Sequence, residues 1–530
     1  MSLSQLVSKY PKPPITFSYG TAGFRLKANL LASTVFRSGI LASLRSRYLK
    51  SQVIGVMITA SHNPPADNGV KLVDPQGEML EASWEQYATQ LANAANADEL
   101  QKVITQLESS LSIDKSLPAK VIFARDSRES GPALAAALLD GIKFAQAEHN
   151  DYGLLTTPQL HYLVRALNTQ ASAIPYGVAT EDGYFDKLGK AYRKLLAGNS
   201  NSEYSITIDA ANGVGGPKVA IIAEQLEGLV NIKVVNDHSD KPDLLNENCG
   251  ADYVKTNQRL PHGVEPQALK LYASFDGDAD RIIFFFLDDE GVFHLLDGDK
   301  IATLVAAFIG ELVSESGTGL NIGVVQTAYA NGSSTDYISN SLKVPVVCTP
   351  TGVKHLHHAA LKFDIGVYFE ANGHGTVLFD PSAIANLQSY SVQTPAQKSA
   401  IDSLLVLSEL INQTVGDAIS DLLLVLAVLT LKKWSPMDWD QSYTDLPNRL
   451  LKAQVKDRLL FKSTDAERKL IAPEGLQVKI DELVKKYPQG RSFVRASGTE
   501  DVVRVYAEAE TKIHSDELAL KVTHLLEVYK

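Results

Sequence analysis

The sequence predicts an α/β protein of several domains, built around mostly parallel sheets. Strand-like runs alternate with helical stretches along most of the chain, which is the pattern of repeated βαβ units. A length of 530 residues suggests about three to four domains. With 45% hydrophobic and 21% charged residues, the composition is that of a globular protein with a large core.

The individual elements follow from residue type. The runs predicted as strands, rich in β-branched and aromatic residues, are Val53–Ile58, 120–124, 205–209, Leu271–Phe275, Ile282–Leu287, 321–326 and 366–369. The Ala/Leu-rich stretch 132–147 is predicted as a helix, and the apolar run 422–431 as a buried helix. The segment 381–397, rich in Ser and Gln, is predicted as a loop.

We predict four domains, with the bounds 1–200, 201–296, 297–435 and 436–530. The small polar stretch 198–202 is typical of a linker. Asp297 is placed to cap a new helix, which marks the start of the third domain. The stretch 434–443, with two Trp and a Pro, is predicted as the hinge to the last domain.

Charge and cysteine content exclude several classes of protein. A net charge of −11 argues against a nucleic-acid surface, which needs a basic face. Two cysteines cannot form a disulfide framework, so we expect a reducing compartment. The first residues lack the apolar segment of a signal peptide, and the run 422–431 is far shorter than the ~20 residues that span a bilayer. We therefore expect a cytoplasmic protein without a membrane partner.

The segment 59–64 (Thr-Ala-Ser-His-Asn-Pro) places a serine hydroxyl in a turn after a strand. Loops at the carboxyl ends of parallel strands are where α/β proteins bind ligands. Ser61 can be a nucleophile there if a neighbour manages its proton, and His62 and Lys71 are candidates. The alternative from the residues alone is a serine that caps a helix or turn.

Asp276, Asp278 and Asp280 lie between two predicted strands at a spacing of two residues. Three carboxylates this close repel one another unless a cation lies among them, and oxygen-only ligation favours Mg²⁺, Mn²⁺ or Ca²⁺. An EF-hand is excluded because Arg281 and Leu287 stand where Gly and Glu are needed. The alternative is a solvated acidic turn.

Three further segments carry candidate binding groups. A predicted phosphate cradle, for which an ordinary Ser-Gly turn is the alternative, comprises Arg495, Ala496, Ser497, Gly498 and Thr499, with Arg504 in the strand that follows. Lys354 can meet an anionic substrate or can be a solvated loop lysine. Glu370, Ala371 and Asn372 open a glycine-containing turn that can bind sugar hydroxyls or can be a plain turn.

These five segments, in this order, resemble those of the α-D-phosphohexomutase superfamily over nearly the whole chain. The resemblance implies three related α/β domains with mixed sheets and a smaller C-terminal α+β domain, arranged around a central cleft. It implies that Ser61 is a phosphoserine and that its phosphate, with the three aspartates, holds one Mg²⁺. Arg25 matches the N-terminal loop that supports this phosphate, and Arg281 would help to bind substrate.

Two departures indicate the acetamido-sugar branch of that superfamily. The segment Asp126-Ser127-Arg128 follows Ser61 by about 65 residues, whereas the corresponding Asp-x-Arg segment of ordinary phosphoglucomutases precedes the serine loop. The sugar loop has Asn372 where glucose and mannose enzymes carry Ser. We therefore expect an enzyme of the isomerase class that acts on N-acetylglucosamine phosphates.

The resemblance also implies the reaction. Phospho-Ser61 would convert N-acetylglucosamine 6-phosphate to the 1-phosphate through a glucosamine-type 1,6-bisphosphate, feeding UDP-N-acetylglucosamine synthesis. The phosphate cradle would hold the phosphate that is not reacting, and His62, Lys71 and Lys354 are candidates for proton handling. The expected partner is a small sugar phosphate, and the expected state is a monomer or weak homodimer.

Three rival functions remain open at this level: a phosphoglucomutase- or phosphomannomutase-type hexose mutase, a sugar phosphatase that uses the same phosphoserine, and a non-catalytic sugar-phosphate sensor. The phosphatase is distinguished by release of inorganic phosphate. The sensor would require loss of Ser61 or of an aspartate, and all are present.

Overall fold

In a computed structural model the chain forms two compact units. The described residues are 1–197, 204–497 and 501–530. The first unit comprises Met1–Leu295 and Val406–Pro436. The second comprises Leu296–Leu405 and Met437–Lys530. Among the described residues, no helix is both long and apolar enough to cross a bilayer.

The first sheet of the first unit is mixed, with the strand order β1-β3-β2-β4-β5. Its strands are β1 (Phe24–Lys27), β2 (Val53–Ile58), β3 (Asp67–Val73), β4 (Lys120–Arg125) and β5 (Glu148–Leu154). Strands β2, β4 and β5 are parallel, and β3 pairs antiparallel with β2 and β1. The accompanying helices are α1 (Leu3–Lys9), α2 (Ala32–Tyr48), α3 (Ala82–Asn93), α4 (Ala97–Ser110), α5 (Gly131–Phe144), α6 (Thr157–Thr169) and α7 (Glu181–Leu195).

The second sheet of this unit has the order β10-β9-β8-β6-β7. Its strands are β6 (Tyr204–Asp209), β7 (Val230–Val235), β8 (Leu271–Phe275), β9 (Ile282–Leu287) and β10 (Phe293–Leu296), and its helices are α8 (Gly215–Gln225) and α9 (Ala251–Asn257). Strand β6 is parallel to β7 and β8, whereas β9 runs antiparallel to β8.

The second unit opens with a third mixed sheet, of order β12-β11-β13-β14. Its elements are α10 (Gly298–Ser316), β11 (Ile322–Thr327), α11 (Gly332–Asp336), β12 (Val346–Thr349), α12 (Val353–Ala360), β13 (Ile365–Phe369), β14 (Gly375–Phe379), α13 (Pro381–Ser389) and α14 (Pro395–Leu410), whose last turn belongs to the first unit. As predicted, Asp297 caps α10, and its side chain accepts a hydrogen bond from the Asp299 N–H.

The C-terminal part of the second unit is a smaller α+β structure. Strands β18 and β15 both pair antiparallel with β19, and a separate hairpin is formed by β16 and β17. The elements are α16 (Pro436–Asp440), β15 (Asn448–Gln454), β16 (Lys462–Thr464), β17 (Lys469–Ala472), α17 (Leu476–Val484), β18 (Arg491–Ala496), β19 (Val502–Glu508) and α18 (Lys512–Leu525).

The three mixed sheets share one design, and each places a predicted site loop at the same point. In each sheet, a strand with a parallel neighbour is followed directly by an antiparallel strand. The turn between them carries the serine segment after β2, the aspartate segment after β8 and the glutamate segment after β13. The α/β class, the mixed sheets and the smaller C-terminal domain are therefore confirmed.

Most predicted elements are confirmed with small shifts at their ends, and one is wrong. The segment 381–397, predicted as a loop, contains α13 and the start of α14. The side chain of Asp380 accepts a hydrogen bond from the Ser382 N–H, Pro381 occupies the first turn, and Ala383 and Leu387 are buried one turn apart. This capping and burial outweigh the polar composition. The predicted linker 198–202 lies outside the described residues, and the predicted bounds of the four domains stay a prediction.

The predicted buried helix over 422–431 is confirmed as part of α15 (Ala418–Lys432), whose residues 418–430 are buried. Asp421 lies inside it, and both carboxylate oxygens are without a hydrogen-bond partner among the described residues. Burial, with the nearby charge of Asp417, raises the pKa of Asp421 well above its usual range. The folded protein therefore keeps this carboxyl protonated where the unfolded chain ionises it.

Asp421→Asn should remove a pH-dependent loss of stability. Because the pKa of Asp421 is raised in the folded protein, its protonated carboxyl stabilises the fold fully at acid pH below about 4. This contribution to the free energy of unfolding is lost as pH rises towards the folded pKa, by at most ~1.4 kcal/mol per pH unit. The thermal unfolding midpoint of the variant, relative to that of the parent, should therefore be higher at pH 8 than at pH 5. Asp402→Asn, at a carboxylate whose side chain is 52% exposed, should leave the difference unchanged. A variant whose advantage does not grow with pH would contradict the assignment.

Candidate active site

Ser61 lies in the turn after β2 with its backbone in the left-handed region, at φ 52°. A non-glycine residue adopts this conformation only when its surroundings hold it there, and such residues cluster at functional sites. The Ser61 N–H donates to Thr59 Oγ1 at 2.9 Å, and Thr59 Oγ1 donates to Asp126 Oδ2 at 2.7 Å. The buried hydroxyl of Ser61 is therefore held by a fixed turn rather than by a flexible loop.

A buried arginine organises the same turn. Arg128 donates from Nη1 and Nη2 to four backbone carbonyls at 2.6–2.9 Å. Those of Ser61, Asn63 and Pro64 belong to the serine segment, and that of Asp67 lies at the start of β3. Its Nε donates to Asp126 Oδ2 at 3.0 Å, which neutralises the charge. The sequence singled out Asp126-Ser127-Arg128 only as a feature of the branch, and its contact with the serine turn was missed.

Asn246 is a second supporting residue that the sequence did not indicate. It follows the second sheet's β7 along the chain and donates from Nδ2 to the carbonyls of Ser61 and Asn63, at 2.9 and 3.1 Å. Its own backbone is left-handed, at φ 58°. The sequence does not distinguish Asn246 from other asparagines in loops, because its contact with Ser61 spans 185 residues of sequence.

The aspartate segment meets the serine directly. Ser61 Oγ donates to Asp276 Oδ2 at 2.6 Å, and the other oxygen of Asp276 accepts from the N–H groups of Asp280 and Arg281 at 3.1 and 3.2 Å. Burial raises the pKa of Asp276 well above its usual range, and the charges of Asp280 and Asp278 raise it further. A buried cluster with this repulsion requires a cation.

The donor set fits a hard divalent metal. One oxygen from each of Asp276, Asp278 and Asp280 lies within 4.8 Å of the others, and all three residues are buried. Thr157 Oγ1 donates to Asp278 Oδ2 at 2.6 Å, while the buried Asp278 Oδ1 has no hydrogen-bond partner among the described residues. Oxygen-only ligands that are fixed in this way suit Mg²⁺.

Cations surround the carboxylates. Lys71 Nζ lies 3.5 Å from Asp278 Oδ2 and 3.4 Å from Asp280 Oδ2. Arg281 Nε lies 3.9 Å from Asp276 Oδ2 and 3.8 Å from Asp280 Oδ1. The structure therefore brings the predicted lysine and arginine to the rim of the acidic cluster, where each can also meet an incoming phosphate.

Arg25 and His62 complete this part of the site. Arg25, on β1, donates to Asn63 Oδ1 at 3.4 Å, and its buried Nε has no hydrogen-bond partner among the described residues. His62 Nδ1 lies 3.4 Å from Ser61 Oγ. Burial, with the charges of Arg281 and Arg25, lowers the pKa of His62 to about 2. The imidazole is therefore neutral at physiological pH and is a weak base.

In the second unit, Glu370 and Asn372 share the tight turn between β13 and β14. The Glu370 N–H donates to the His374 carbonyl at 2.8 Å, and Gly373 takes φ 86°. Asn372 Oδ1 accepts from the His374 N–H at 3.0 Å, and Asn372 Nδ2 lies 3.5 Å from Glu370 Oε2. The amide oxygen is thus used inside the turn, so Asn372 offers its NH₂ group to a ligand.

The same turn packs tightly on the start of α10. A Cβ on Gly298 would lie 1.9 Å from the Glu370 carbonyl oxygen, so only glycine fits at this position. The Gly298 N–H approaches the Ala371 carbonyl at 3.5 Å. The backbone of the predicted sugar loop is therefore fixed by α10, and its side chains are left to select the ligand.

The predicted phosphate cradle lies on β18 and β19. Arg495 and Arg504 are directly opposite each other in the antiparallel register, and Ala496 pairs with Val503. The Ser497 N–H donates to the Val502 carbonyl at 2.9 Å. Gly498 and Thr499 lie outside the described residues. Two guanidinium groups at one position of a sheet form a strongly cationic point, as expected for a phosphate site.

Lys354 is buried in the first turn of α12. The alternative that Lys354 is a solvated loop lysine is therefore wrong.

The predicted site residues form two groups. The first unit holds Arg25, Ser61, His62, Lys71, the three aspartates and Arg281, and the second holds Lys354, the glutamate turn and the arginine cradle.

Family models match four consecutive regions of the chain. They are phosphoglucomutase/phosphomannomutase α/β/α domain I at 41–99 and 92–175, phosphoacetylglucosamine mutase AMG1 domain II at 175–283 and domain III at 297–434, and the phosphoglucomutase/phosphomannomutase C-terminal domain at 450–525. A phosphoacetylglucosamine mutase from Candida albicans is 55% identical, over 99% of this chain and 99% of its own. The Homo sapiens protein of that name is 50% identical, over 96% of this chain and 93% of its own.

The chain belongs to the phosphoacetylglucosamine mutase family. The predicted superfamily and its acetamido-sugar branch are confirmed, as is the prediction of an isomerase.

Solved structures of the phosphoacetylglucosamine mutase family match over 99% of this chain. One is an N-acetylglucosamine-phosphate mutase in its substrate complex, with 55% identity, 100% coverage of that chain and a TM-score of 0.95. An Aspergillus fumigatus N-acetylphosphoglucosamine mutase in complex with GlcNAc-6P and magnesium has 53% identity, 98% coverage and a TM-score of 0.96. A variant of that enzyme bound to glucose 1,6-bisphosphate has 53% identity, 98% coverage and a TM-score of 0.95.

Asp278→Asn should weaken Mg²⁺ binding at least about tenfold, because it removes one ligand of a three-carboxylate site. Isothermal titration with Mg²⁺ measures the affinity. Stability without metal should hold or rise, since one of three mutually repelling charges is gone. Asp289→Asn, at an exposed carboxylate after β9, is the matched control. An unchanged Mg²⁺ affinity would place the metal elsewhere.

Arg128→Lys should lower kcat about 10- to 100-fold through displacement of the Ser61 turn, because an ammonium group cannot bridge four carbonyls in one plane. Steady-state kinetics with a thermal unfolding check measure this effect. Arg125→Lys, at the end of β4, controls for loss of a guanidinium nearby. Full activity in the Arg128 variant would show that the turn holds its shape without these bonds.

Proposed function

We propose that this chain interconverts N-acetylglucosamine 6-phosphate and N-acetylglucosamine 1-phosphate through a phosphoserine at Ser61. The observation that carries the proposal is the 2.6 Å contact of Ser61 Oγ with Asp276, inside a buried cluster of three carboxylates. A phosphate on this oxygen would lie beside a metal site and among three cations. That arrangement suits phosphoryl transfer, which depends on positioning and on charge stabilisation.

The reaction proceeds in two transfers. In the first, the O1 hydroxyl of the 6-phosphate attacks the phosphorus of phospho-Ser61 and loses its proton to a base. The bond from phosphorus to Ser61 Oγ breaks, and Ser61 Oγ takes up a proton as it leaves. The product is a 1,6-bisphosphate. After the bisphosphate reorients, Ser61 Oγ takes the phosphoryl group from position 6, its proton returns to the released O6 hydroxyl, and the 1-phosphate leaves.

The chain's own residues divide the remaining work in the first unit. Asp276, Asp278 and Asp280, with the phosphate on Ser61, would hold Mg²⁺, which supplies neutralisation of the charge on the transferring group. Lys71, Arg25 and Arg281 offset the same charge from the rim. His62, whose Nδ1 lies 3.4 Å from Ser61 Oγ, and Lys71 are the candidates there for proton handling, and a pKa of about 2 makes the imidazole of His62 a weaker base than that of an ordinary histidine.

The second unit would select and hold the substrate. Glu370 and Asn372 would bind the sugar in both orientations, with Ala371 shaping the turn between them. Lys354, buried in the first turn of α12, would contact the substrate's phosphate or hydroxyl. The cradle of Arg495, Ala496, Ser497, Gly498 and Thr499, with Arg504, would hold the phosphate that is not reacting. Because this phosphate alternates between positions 1 and 6, the cradle must accept both.

Product analysis tests the activity. Phosphorus NMR of N-acetylglucosamine 6-phosphate with enzyme, Mg²⁺ and a catalytic amount of a 1,6-bisphosphate should show the 1-phosphate. Ser61→Ala should abolish it. Intact mass should show one added phosphate in the parent protein, and peptide mapping should place it on Ser61. Inorganic phosphate as the main product would indicate the phosphatase instead, and turnover by Ser61→Ala within tenfold of the parent would remove Ser61 from the mechanism.

We infer a cytoplasmic location and a monomer or weak homodimer. The location is supported by two cysteines that form no disulfide, Cys249 and Cys348. Light scattering during gel filtration, over a range of protein concentrations, tests the oligomeric state.

Asn372→Ser should narrow the preference for N-acetylglucosamine phosphate over glucose phosphate. A serine can keep the turn by accepting from the His374 N–H, but it lacks the NH₂ group that faces Glu370. We expect kcat/KM for the acetamido substrate to fall about tenfold and that for glucose phosphate to change less. Competition between the two substrates measures the ratio, and Asn386→Ser on the exposed face of α13 is the control. If glucose phosphate is preferred by the unmodified enzyme, the chain is a general phosphohexomutase.

A further inference from the structure

The hairpin of β16 and β17 brings an acidic side chain to the phosphate cradle. Its tip consists of Asp465, Ala466 and Glu467, all in the left-handed region at φ 52°, 52° and 68°. Three successive non-glycine residues in this conformation are held by their contacts rather than by preference. The conformation turns the carboxylate of Glu467 back towards β18.

One carboxylate oxygen of Glu467 forms an ion pair with Arg495 and accepts two hydrogen bonds from Thr351. Glu467 Oε2 lies 2.9 Å from Arg495 Nε, and it accepts from the Thr351 N–H at 2.9 Å and from Thr351 Oγ1 at 2.6 Å. The side chains of Arg495 and Glu467 are 19% and 18% exposed, so water screens the pair only in part. Although burial opposes it, these bonds lower the pKa of Glu467, which keeps the carboxylate charged.

This geometry allows two opposite roles. As a competitor, Glu467 would occupy the cradle in place of a phosphate, and its removal would tighten phosphate binding. As a positioning residue, it would fix the guanidinium of Arg495, and its removal would weaken phosphate binding. The closest contact is at Nε, on the side of the guanidinium, and a phosphate is bound best by the terminal pair Nη1 and Nη2.

We infer that Glu467 is a positioning residue of the phosphate cradle, which it holds through Arg495. Arg495 and Arg504 face each other across the strand pair, and like charges in that position repel. The carboxylate of Glu467 offsets this repulsion and restrains Arg495, a side chain that otherwise loses much rotamer freedom when it binds.

Glu467 also ties the cradle to the loop that carries Lys354. Thr351 precedes Gly352, which takes φ 127° at the cap of α12, and Lys354 lies in the first turn of that helix. A single carboxylate therefore sets the position of Arg495 and of the segment that presents Lys354. The inference rests on the proposed function, because it assigns the cradle to the substrate's non-reacting phosphate.

The test is Glu467→Gln, which keeps the shape and removes the charge. We expect KM for N-acetylglucosamine 6-phosphate to rise about 3- to 10-fold with kcat within about twofold, and the affinity for inorganic phosphate to fall in parallel. Glu474→Gln, at an exposed glutamate of the same domain, should change neither. A fall in KM would overturn the positioning role, and so would an unchanged KM.

A double-mutant cycle separates action through Arg495 from a general structural effect. If Glu467 acts through Arg495, Glu467→Gln should raise KM in the parent but not in the Arg495→Ala background. Additive effects would overturn the inference. Failure of this inference can be told apart from failure of the proposed function. A parent protein that makes no 1-phosphate would contradict the proposed function, whereas an active parent whose KM is insensitive to Glu467→Gln would contradict only the inference.

Discussion

Three buried carboxylates beside a buried hydroxyl are the constraint on which the first unit depends. Asp276, Asp278 and Asp280 repel one another at a distance where burial gives little screening. Ser61 Oγ is held 2.6 Å from one of them, so a phosphate there adds to the negative charge. Cations are therefore required, and the arrangement of the neighbouring strands supplies them.

The topology explains how residues so distant in sequence meet. Each mixed sheet makes one turn from a strand with a parallel neighbour into an antiparallel strand, and each of these turns carries one part of the predicted site. The carboxyl ends of parallel strands are where α/β sheets bind ligands. Repetition of one sheet design thus yields, from similar backbones, the serine turn, the turn proposed to bind metal and the turn proposed to bind sugar. Their side chains distinguish their proposed chemistry.

The sequence predicted the local secondary structure and missed the tertiary contacts that support the site. The strands Val53–Ile58, Leu271–Phe275 and Ile282–Leu287 were predicted with their observed bounds, because β-branched and aromatic runs between turns are local signals. Arg128, Asn246 and Glu467 act on residues 67, 185 and 28 positions away, as the contacts with Ser61 and Arg495 show. Nothing in the sequence next to these three residues indicates those contacts. The helix α13 was missed for a different reason, because the polar composition of 381–397 was given more weight than the capping residue Asp380.

The proposed phosphoserine and the proposed metal ion would balance each other's formal charge. When all three are ionised the aspartates carry −3, and Lys71, Arg25 and Arg281 at the rim offset that charge. A phosphoserine adds about −2 and Mg²⁺ adds +2, so the two balance each other but neither is balanced alone. Loss of the phosphate or of the metal would leave a net charge in a buried site. An unpaired buried charge costs several kcal/mol, about as much as breaking a buried ion pair.

Phosphorylation of Ser61 and metal binding should therefore favour each other, because the coupling between any two ligands of one protein is reciprocal. The neutral form of His62 fits the same balance, because a further positive charge beside Arg25 and Arg281 would upset it.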